Sequence, residues 1–335
     1  MKALITTPRG KIFDTFFTPE NIKLAESLGE IVWNPYERHL TKEEVKALAA
    51  DCDVYVTTWS SPQLDAEILA AAPNIKLLTH LCGTVKPFVS DAMWERGVRV
   101  ICGNDYFALS VAEGTVGYML AAQRDIPKYS TDLKEKRQWK SNEIFTQSLL
   151  RKTVGLVSYG AIAKHLVRML QPFQVKLKVY DIVEIPAADK EKYGIEQVSL
   201  DELFSTCEII SIHTPYFDAT HHLINKDLLA KIQPNALLVN TSRGPVIDQA
   251  ALVEELRTGR FRALLDVYEV EPPHADDPLF DVPNLIMIPH MGGPTTDLRQ
   301  YITHDLLLES AAFVDKGAPL KNEVTKARAA QMSLR

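Results

Sequence analysis

Three dense signatures in this chain could carry chemistry: NTSRGPVID around Arg243, LLDVYEVEPP leading to Glu271, and IPHMGG around His290. A guanidinium, a carboxylate and an imidazole brought together can bind a carboxylate, orient the imidazole and move a proton. Each signature begins in or just after a short apolar run, LLVN, ALL or LIMI, that reads as a buried strand. The carboxyl ends of parallel strands are where an α/β protein meets its ligand.

A nucleotide-binding pattern lies upstream. In TVGLVSYGAIAKHLVRML an apolar strand runs into Gly160 and an amphipathic helix follows at once. Such a strand, glycine turn and helix leave the helix N-terminus free for a pyrophosphate. Against G-x-G-x-x-G, Ser158 replaces the first glycine, Gly160 fills the second place and Ala163 replaces the third. The second glycine matters most, because there the backbone approaches the phosphates. Alone, the pattern is also that of a mere tight turn. KLKVYD then ends in Asp181, about 20 residues on, where a carboxylate can accept both ribose hydroxyls of NAD. A strand-terminal Asp also serves as a helix cap. Ile182 and Val183 follow, with no Arg or Lys for a 2′-phosphate, which favours NAD over NADP.

These residues need elements to hold them. KALIT, EIVWN, DVYVT, IKLLTHL and VRVIC read as strands, separated by helix-like stretches such as TKEEVKALAA and SPQLDAEILAAA. Thr41 and Glu44 have capping-box spacing, and Ser61 with Pro62 reads as a helix start. Residues 108–122 form a long apolar helix. A second strand–helix series follows, through KTVGLV, KLKVYD, EIISI, ALLVN and RALLDV. The C-terminal DLRQYITHDLLLESAAFVDKG is a helix with Ile302, Leu306, Leu307 and Phe313 apolar. Alternating strands and helices imply α/β architecture: two doubly wound parallel-sheet domains, Rossmann-like or flavodoxin-like. The simplest arrangement is discontinuous. Residues 1–105 plus 298–335 form one domain and 106–297 the other, with an interdomain cleft for a ligand. The tail after Val324 is polar and basic and reads as disordered.

The 335 residues suit two domains, and 46% hydrophobic with 24% charged is a soluble globular composition. A net charge of −6 argues against a nucleic-acid or anionic-membrane partner. MKALITTPRG is too short in apolar residues for a signal peptide, and no run approaches the roughly 20 residues of a membrane span. Cys52, Cys102 and Cys207 adjoin apolar runs and read as reduced buried thiols of a cytoplasmic protein. Cys82, beside Gly83 in a loop, is the thiol nearest a ligand. No Cys or His has metal-ligand spacing, so no metal is expected. His80, His213, His221, His222 and His304 read as packed or solvated.

The chain strongly resembles the D-isomer-specific 2-hydroxyacid dehydrogenases. From about residue 53 to Val324, SVAEGTVGYMLA, VSYGAIA, SIHTPYFDATHHLIN, NTSRGPVIDQAAL, DVYEVEPP, PHMGG and KGAPLKNEV keep the family's order and spacing. The resemblance implies that Arg243 grips the substrate carboxylate and keto oxygen. His290 would be the acid in reduction and the base in oxidation, with Glu271 holding the imidazole and favouring its protonated form. Ala161 and Ile162 would offer amides to the pyrophosphate, with Ser158, Tyr159 and Gly160 beside them. Thr214, Pro215 and Thr220 would lie towards the adenosine. Thr241, Ser242, Asp266, Gly292 and Gly293 would lie towards the nicotinamide, Asp266 contacting its carboxamide. Gly83, Thr84 and Val85 would give amides to the substrate carboxylate, and residues 124–150 would form a two-fold dimer.

The departures sit on the substrate side. CGTVKP lacks the family's further glycine and Asp, and Phe107 stands where Asn is common. Trp59, Lys86, Tyr106, Phe107 and Met291 are candidates for shaping the pocket. The expected activity is hydride transfer between NAD(H) and a small 2-hydroxy or 2-keto acid. A formate dehydrogenase pairs its His with Gln, so Glu271 speaks against one. An NAD(H)-binding sensor of the co-repressor kind stays open, and keto-acid turnover separates it from the enzyme.

Overall fold

The computed structural model describes residues 1–140 and 146–333, in two compact units: 1–107 with 294–335, and 108–293. The first unit is built on β1 (Lys2–Ile5), β2 (Glu30–Trp33), β3 (Val54–Thr57), β4 (Leu77–His80) and β5 (Arg99–Cys102). They form a parallel sheet in the order β2-β1-β3-β4-β5. Alternate residues face opposite sides. Leu4, Tyr55, Leu78 and Val100 enter one apolar cluster, while Ala3, Ile5, Val54, Val56, Leu77 and Ile101 enter another. Burial on both faces explains why these strands are continuous apolar runs. Ile302, Leu306 and Leu307 of the helix Arg299–Lys316 complete the second cluster.

The second unit contains β6 (Thr153–Val157), β7 (Lys176–Tyr180), β8 (Ile195–Gln197), β9 (Ile209–Ile212), β10 (Leu237–Asn240), β11 (Arg262–Leu265) and β12 (Leu285–Met287). All pairings are parallel, in the order β12-β11-β10-β9-β6-β7-β8. From β6 the chain winds outward through β7 and β8. It then returns to the other side of β6 and winds outward again from β9. The order reverses between β6 and β9, and the carboxyl ends of those strands flank the crevice in which such sheets bind ligands.

Two local readings need correction. Ser61 does not start a helix. Its hydroxyl donates to the Thr58 carbonyl and meets Thr6, and the helix Ala66–Ala71 starts later, capped by Asp65. Asp65 competes better because its carboxylate accepts from two amides, those of Glu67 and Ile68. The tail after Val324 is not disordered up to Ser333. It contains the helix Lys326–Ala330, and Val324 and Ala329 are buried in the first unit's core. Val324, Ala329 and Met332 give that segment an apolar side against the core despite its basic composition. The Thr41–Glu44 capping box forms as expected. No helix among the described residues is long and apolar enough to cross a membrane.

Candidate active site

Arg243, Glu271 and His290 lie on the turns after β10, β11 and β12, three neighbouring strands of one sheet. The Asn240 side chain shapes the first turn. Its Oδ1 accepts from the Ser242 amide at 3.0 Å and hydroxyl at 2.9 Å, and its Nδ2 donates to the Arg243 carbonyl at 3.1 Å. Arg243 Nη1 donates to the Ser242 carbonyl at 2.7 Å. Burial pulls the guanidinium below its usual pKa, and the nearby Glu271 carboxylate works against that. Gly244 is required here, because a Cβ would lie 1.8 Å from the Tyr268 carbonyl oxygen.

Glu271 and His290 form the pair expected of them. Oε2 of Glu271 is 2.7 Å from Nδ1 of His290, and Oε1 accepts from the Tyr268 amide at 3.0 Å. The carboxylate is therefore aimed by the backbone of its own loop. Tyr268 is fixed in turn, its hydroxyl 2.8 Å from the Ile288 carbonyl and 3.1 Å from that of Leu265, sharing its one proton between them. With Nδ1 engaged, Nε2 is left for a reacting group. The His290 side chain is 51% exposed, so the ring is open to a ligand. His290 has φ +51°, a left-handed conformation that few non-glycine residues adopt.

Asp266 holds that conformation. It is buried, and its two oxygens accept from the amides of Met291 at 2.7 Å and Gly292 at 2.8 Å, while its carbonyl accepts from the His290 amide. Burial pushes its carboxyl above the usual range, against those two amides. A Cβ on Gly292 would come 2.7 Å from Asp266 Oδ2. Thr241 is buried, its hydroxyl 3.1 Å from that of Thr115. Gly293 accepts from the Ser110 hydroxyl at 3.3 Å. Asn240 and Tyr268 escaped the sequence reading. Asn240, a polar residue closing an apolar run, was the available signal.

The nucleotide pattern occupies the crevice ends of β6, β7 and β9. Ser158 adopts φ +81°, as the missing glycine would, and its hydroxyl is 2.9 Å from that of Thr214. Gly160 caps the helix Ala161–Leu170 with no side chain, and nothing lies within 4 Å of where its Cβ would be. The first amides of that helix, Ala161 and Ile162 among them, have no intrahelical acceptor. They are open to an anion, which fits a dinucleotide pyrophosphate. Asp181 accepts from the amides of Tyr159 at 2.7 Å and Val183 at 2.8 Å, so its carboxylate is fixed at the end of β7 with lone pairs to spare. It has no ion pair among the described residues, and Ile182 and Val183 are exposed. Thr220 closes its own turn, donating to the Pro215 carbonyl and accepting from the Phe217 amide. His213 is buried with neither ring nitrogen bonded, and burial lowers its pKa to about 3.

Gly83, Thr84 and Val85 follow β4 in the first unit. None of their amides has an acceptor among the described residues. Val85 itself is core, and the Thr84 hydroxyl donates to the Ser333 carbonyl. Of the pocket-shaping candidates, Phe107 lies beside Gly83 and 6.4 Å from Trp59, ring to ring. Tyr106 donates to Asp305 and Lys86 to the Ala330 carbonyl, while Met291 is exposed. Cys82 is buried, which raises its thiol pKa and removes it as a reactive group. One His/Glu cluster, His221, His222 and Glu269, forms among the described residues. Its two imidazoles stack at 3.9 Å, and Nε2 of His222 lies 3.0 Å from Oε1 of Glu269.

Residues 116–292 match the family described as D-isomer specific 2-hydroxyacid dehydrogenase, NAD binding domain. The chain is 33% identical to a hydroxypyruvate reductase of Thermotoga maritima over 80% of this chain and 87% of that one. It is 32% identical to a glyoxylate reductase of Thermofilum pendens over 96% and 97%. It spans about half the length of the D-3-phosphoglycerate dehydrogenases it matches, 55% of the one from Methanocaldococcus jannaschii. A solved structure from Thermus thermophilus superposes with a TM-score of 0.77 at 26% identity, covering 97% of this chain and all of that one. NAD is the cofactor that the matched domain binds. The chain belongs to the D-isomer-specific 2-hydroxyacid dehydrogenase family.

Proposed function

We propose that this NAD-dependent hydroxyacid dehydrogenase interconverts a small 2-keto acid and its 2-hydroxy acid, with Arg243, Glu271 and His290 as the working residues. The observation that carries this reading is the Glu271–His290 bond of 2.7 Å, made through Nδ1 on a carboxylate already aimed by a backbone amide. Bound NADH supplies the hydride to the substrate C2. Arg243 binds the carboxylate and polarises the keto oxygen through its planar fork of donors. As charge develops on that oxygen, His290 gives it the proton on Nε2 and becomes neutral, while Nδ1–H stays on Glu271. In the oxidative direction the same Nε2 takes the hydroxyl proton. Glu271, bonded to Nδ1, fixes which nitrogen faces the substrate.

Ser158 to Ile162, with Thr214 and Pro215 on the next strand end, would line the pyrophosphate. Asp181 would take the ribose hydroxyls, and Thr220 supports the turn beside them. Thr241, Ser242, Asp266, Gly292 and Gly293 would form the nicotinamide end. The free amides of Gly83, Thr84 and Val85 would be donors for the substrate carboxylate, and the five-stranded unit would be the substrate-binding one. The protein would work as a homodimer through residues 124–150. The helix Ile126–Lys134 in that stretch has no fully buried residue, and Ile126, Leu133, Trp139 and Leu150 are exposed. Residues 141–145 of the stretch lie outside the described ones.

The test is NADH oxidation with glyoxylate, hydroxypyruvate, pyruvate and bulkier 2-keto acids. Turnover of at least one is expected. NADH binding without turnover of any would favour the sensor reading instead.

A further inference from the structure

Backbone amides are normally paired with main chain, side chain or water, so a loop whose amides take no acceptor from the protein is open to one from outside. The loop after β4 keeps its amides free, and the segment 324–333 explains how. Val85 packs into the cluster that holds Val324 and Ala329, with Met332 against it. Thr84 Oγ1 donates to the Ser333 carbonyl at 2.6 Å, and Lys86 Nζ donates to the Ala330 carbonyl at 3.3 Å. The segment is anchored at its other end too. The Val324 amide donates to the Val100 carbonyl at 2.9 Å, Lys326 pairs with Asp91, and Thr325 caps the helix Lys326–Ala330. Side chains of the loop are therefore tied to this segment, while its main-chain donors are left unused.

We propose that the segment Val324–Ser333 is a positioning element for the reaction, bracing the Gly83–Val85 loop so that its amides are presented to the substrate carboxylate. This rests on the reading of that loop as carboxylate-binding. Thr84 acts as a positioning residue through its hydroxyl. Holding the loop before the acid arrives removes an ordering cost from binding, so the brace governs apparent substrate affinity rather than the proton or hydride step. The cofactor-binding residues lie in the other unit and should not respond.

The experiment measures KM and kcat for the best keto acid, and NADH affinity by fluorescence, in the full chain. Thr84→Val removes the hydroxyl with little change of shape and should raise KM about tenfold, with kcat and NADH affinity unchanged. Thr84→Ser keeps the hydroxyl and should restore KM to within about twofold of the parent. Ala329→Asp puts a charge in the buried cluster and should raise KM further by undocking the helix. Should that variant fail to fold, the Thr84 pair still decides. Gly83→Pro removes one amide and tests the loop itself. A raised KM in Gly83→Pro with a parental KM in Thr84→Val overturns the brace and leaves the loop reading standing. A parental KM in Gly83→Pro overturns the loop reading, and the brace with it.

Discussion

Lysine in place of Arg243 keeps the charge but loses the planar fork. Losing one charge-assisted hydrogen bond costs about 1.5–3 kcal/mol, more than tenfold in affinity. Arg243→Lys should therefore lower kcat/KM for the keto acid at least about tenfold while NADH binding survives. Unchanged reduction would remove Arg243 from the mechanism. Asp181 belongs to the same scale. A 2′-phosphate beside its carboxylate would set two anions together with no cation paired to the Asp, so NADH should be strongly preferred to NADPH. Asp181→Ala should weaken that preference mainly by losing NADH affinity, again by about tenfold or more. Equal kcat/KM for the two cofactors in the parent would place Asp181 away from the ribose. The residues proposed to act with their own side chains were legible in the sequence, because an Arg-Gly after a strand or a Pro-His shortly before two glycines is locally unusual. Asn240, Tyr268 and the anchoring role of Asp266 were not. Each works through a main-chain group, as its donor or acceptor, and a main-chain group has no letter in a sequence.

At the scale of elements, the turns after β10 and β12 depend on close approach. Gly292 leaves room for the Asp266 carboxylate that holds residues 290–292. Gly292→Ala would force that carboxylate away, and overpacking of this kind costs about 1–3 kcal/mol. We predict a lower melting temperature and a larger fall in kcat than in NADH affinity, since His290 moves with the turn. A Gly292→Ala protein with parental kcat and stability would show that the turn can give. The strand runs were readable because strands of a two-faced parallel sheet are apolar throughout. The three-residue β8 was not singled out, since IEQ carries too little pattern. The start of the helix Ala66–Ala71 was misplaced because Ser-Pro and Asp are both good starts, and only packing chooses between them.

For the whole molecule, pH reports on burial. His80 and His213 are buried, and burial lowers both pKa values to about 3. Their folded values lie below the unfolded value of about 6.5, so unfolding takes up protons below that pH. The stabilisation of the neutral rings is complete above about pH 6.5 and is lost as pH falls towards the folded value. Urea midpoints should therefore drop between pH 7 and 5, before ordinary carboxylates titrate. A flat profile over that window would mean that both rings charge without unfolding. Association is the other whole-molecule prediction. Light scattering should give twice the chain mass, and Leu133→Asp with Trp139→Asp should shift it towards one chain, whereas a monomeric parent would refute the dimer.

What the sequence determined by itself was local or periodic: apolar runs that must be buried strands, a glycine turn before a helix, and three polar signatures at strand ends. These follow from hydrophobic burial and backbone sterics acting over a few residues. The resemblance added roles to those positions. Only the tertiary structure decided which strands are neighbours, and so that the turns of Arg243, Glu271 and His290 stand side by side. It also decided that Ser158 takes a glycine conformation, that Asp266 holds the His290 turn, and that a basic tail docks against the loop after β4. Each of these depends on contacts between residues far apart in the chain. The free energy of such contacts lies in the partner as much as in the residue, and composition and spacing record only one side of it.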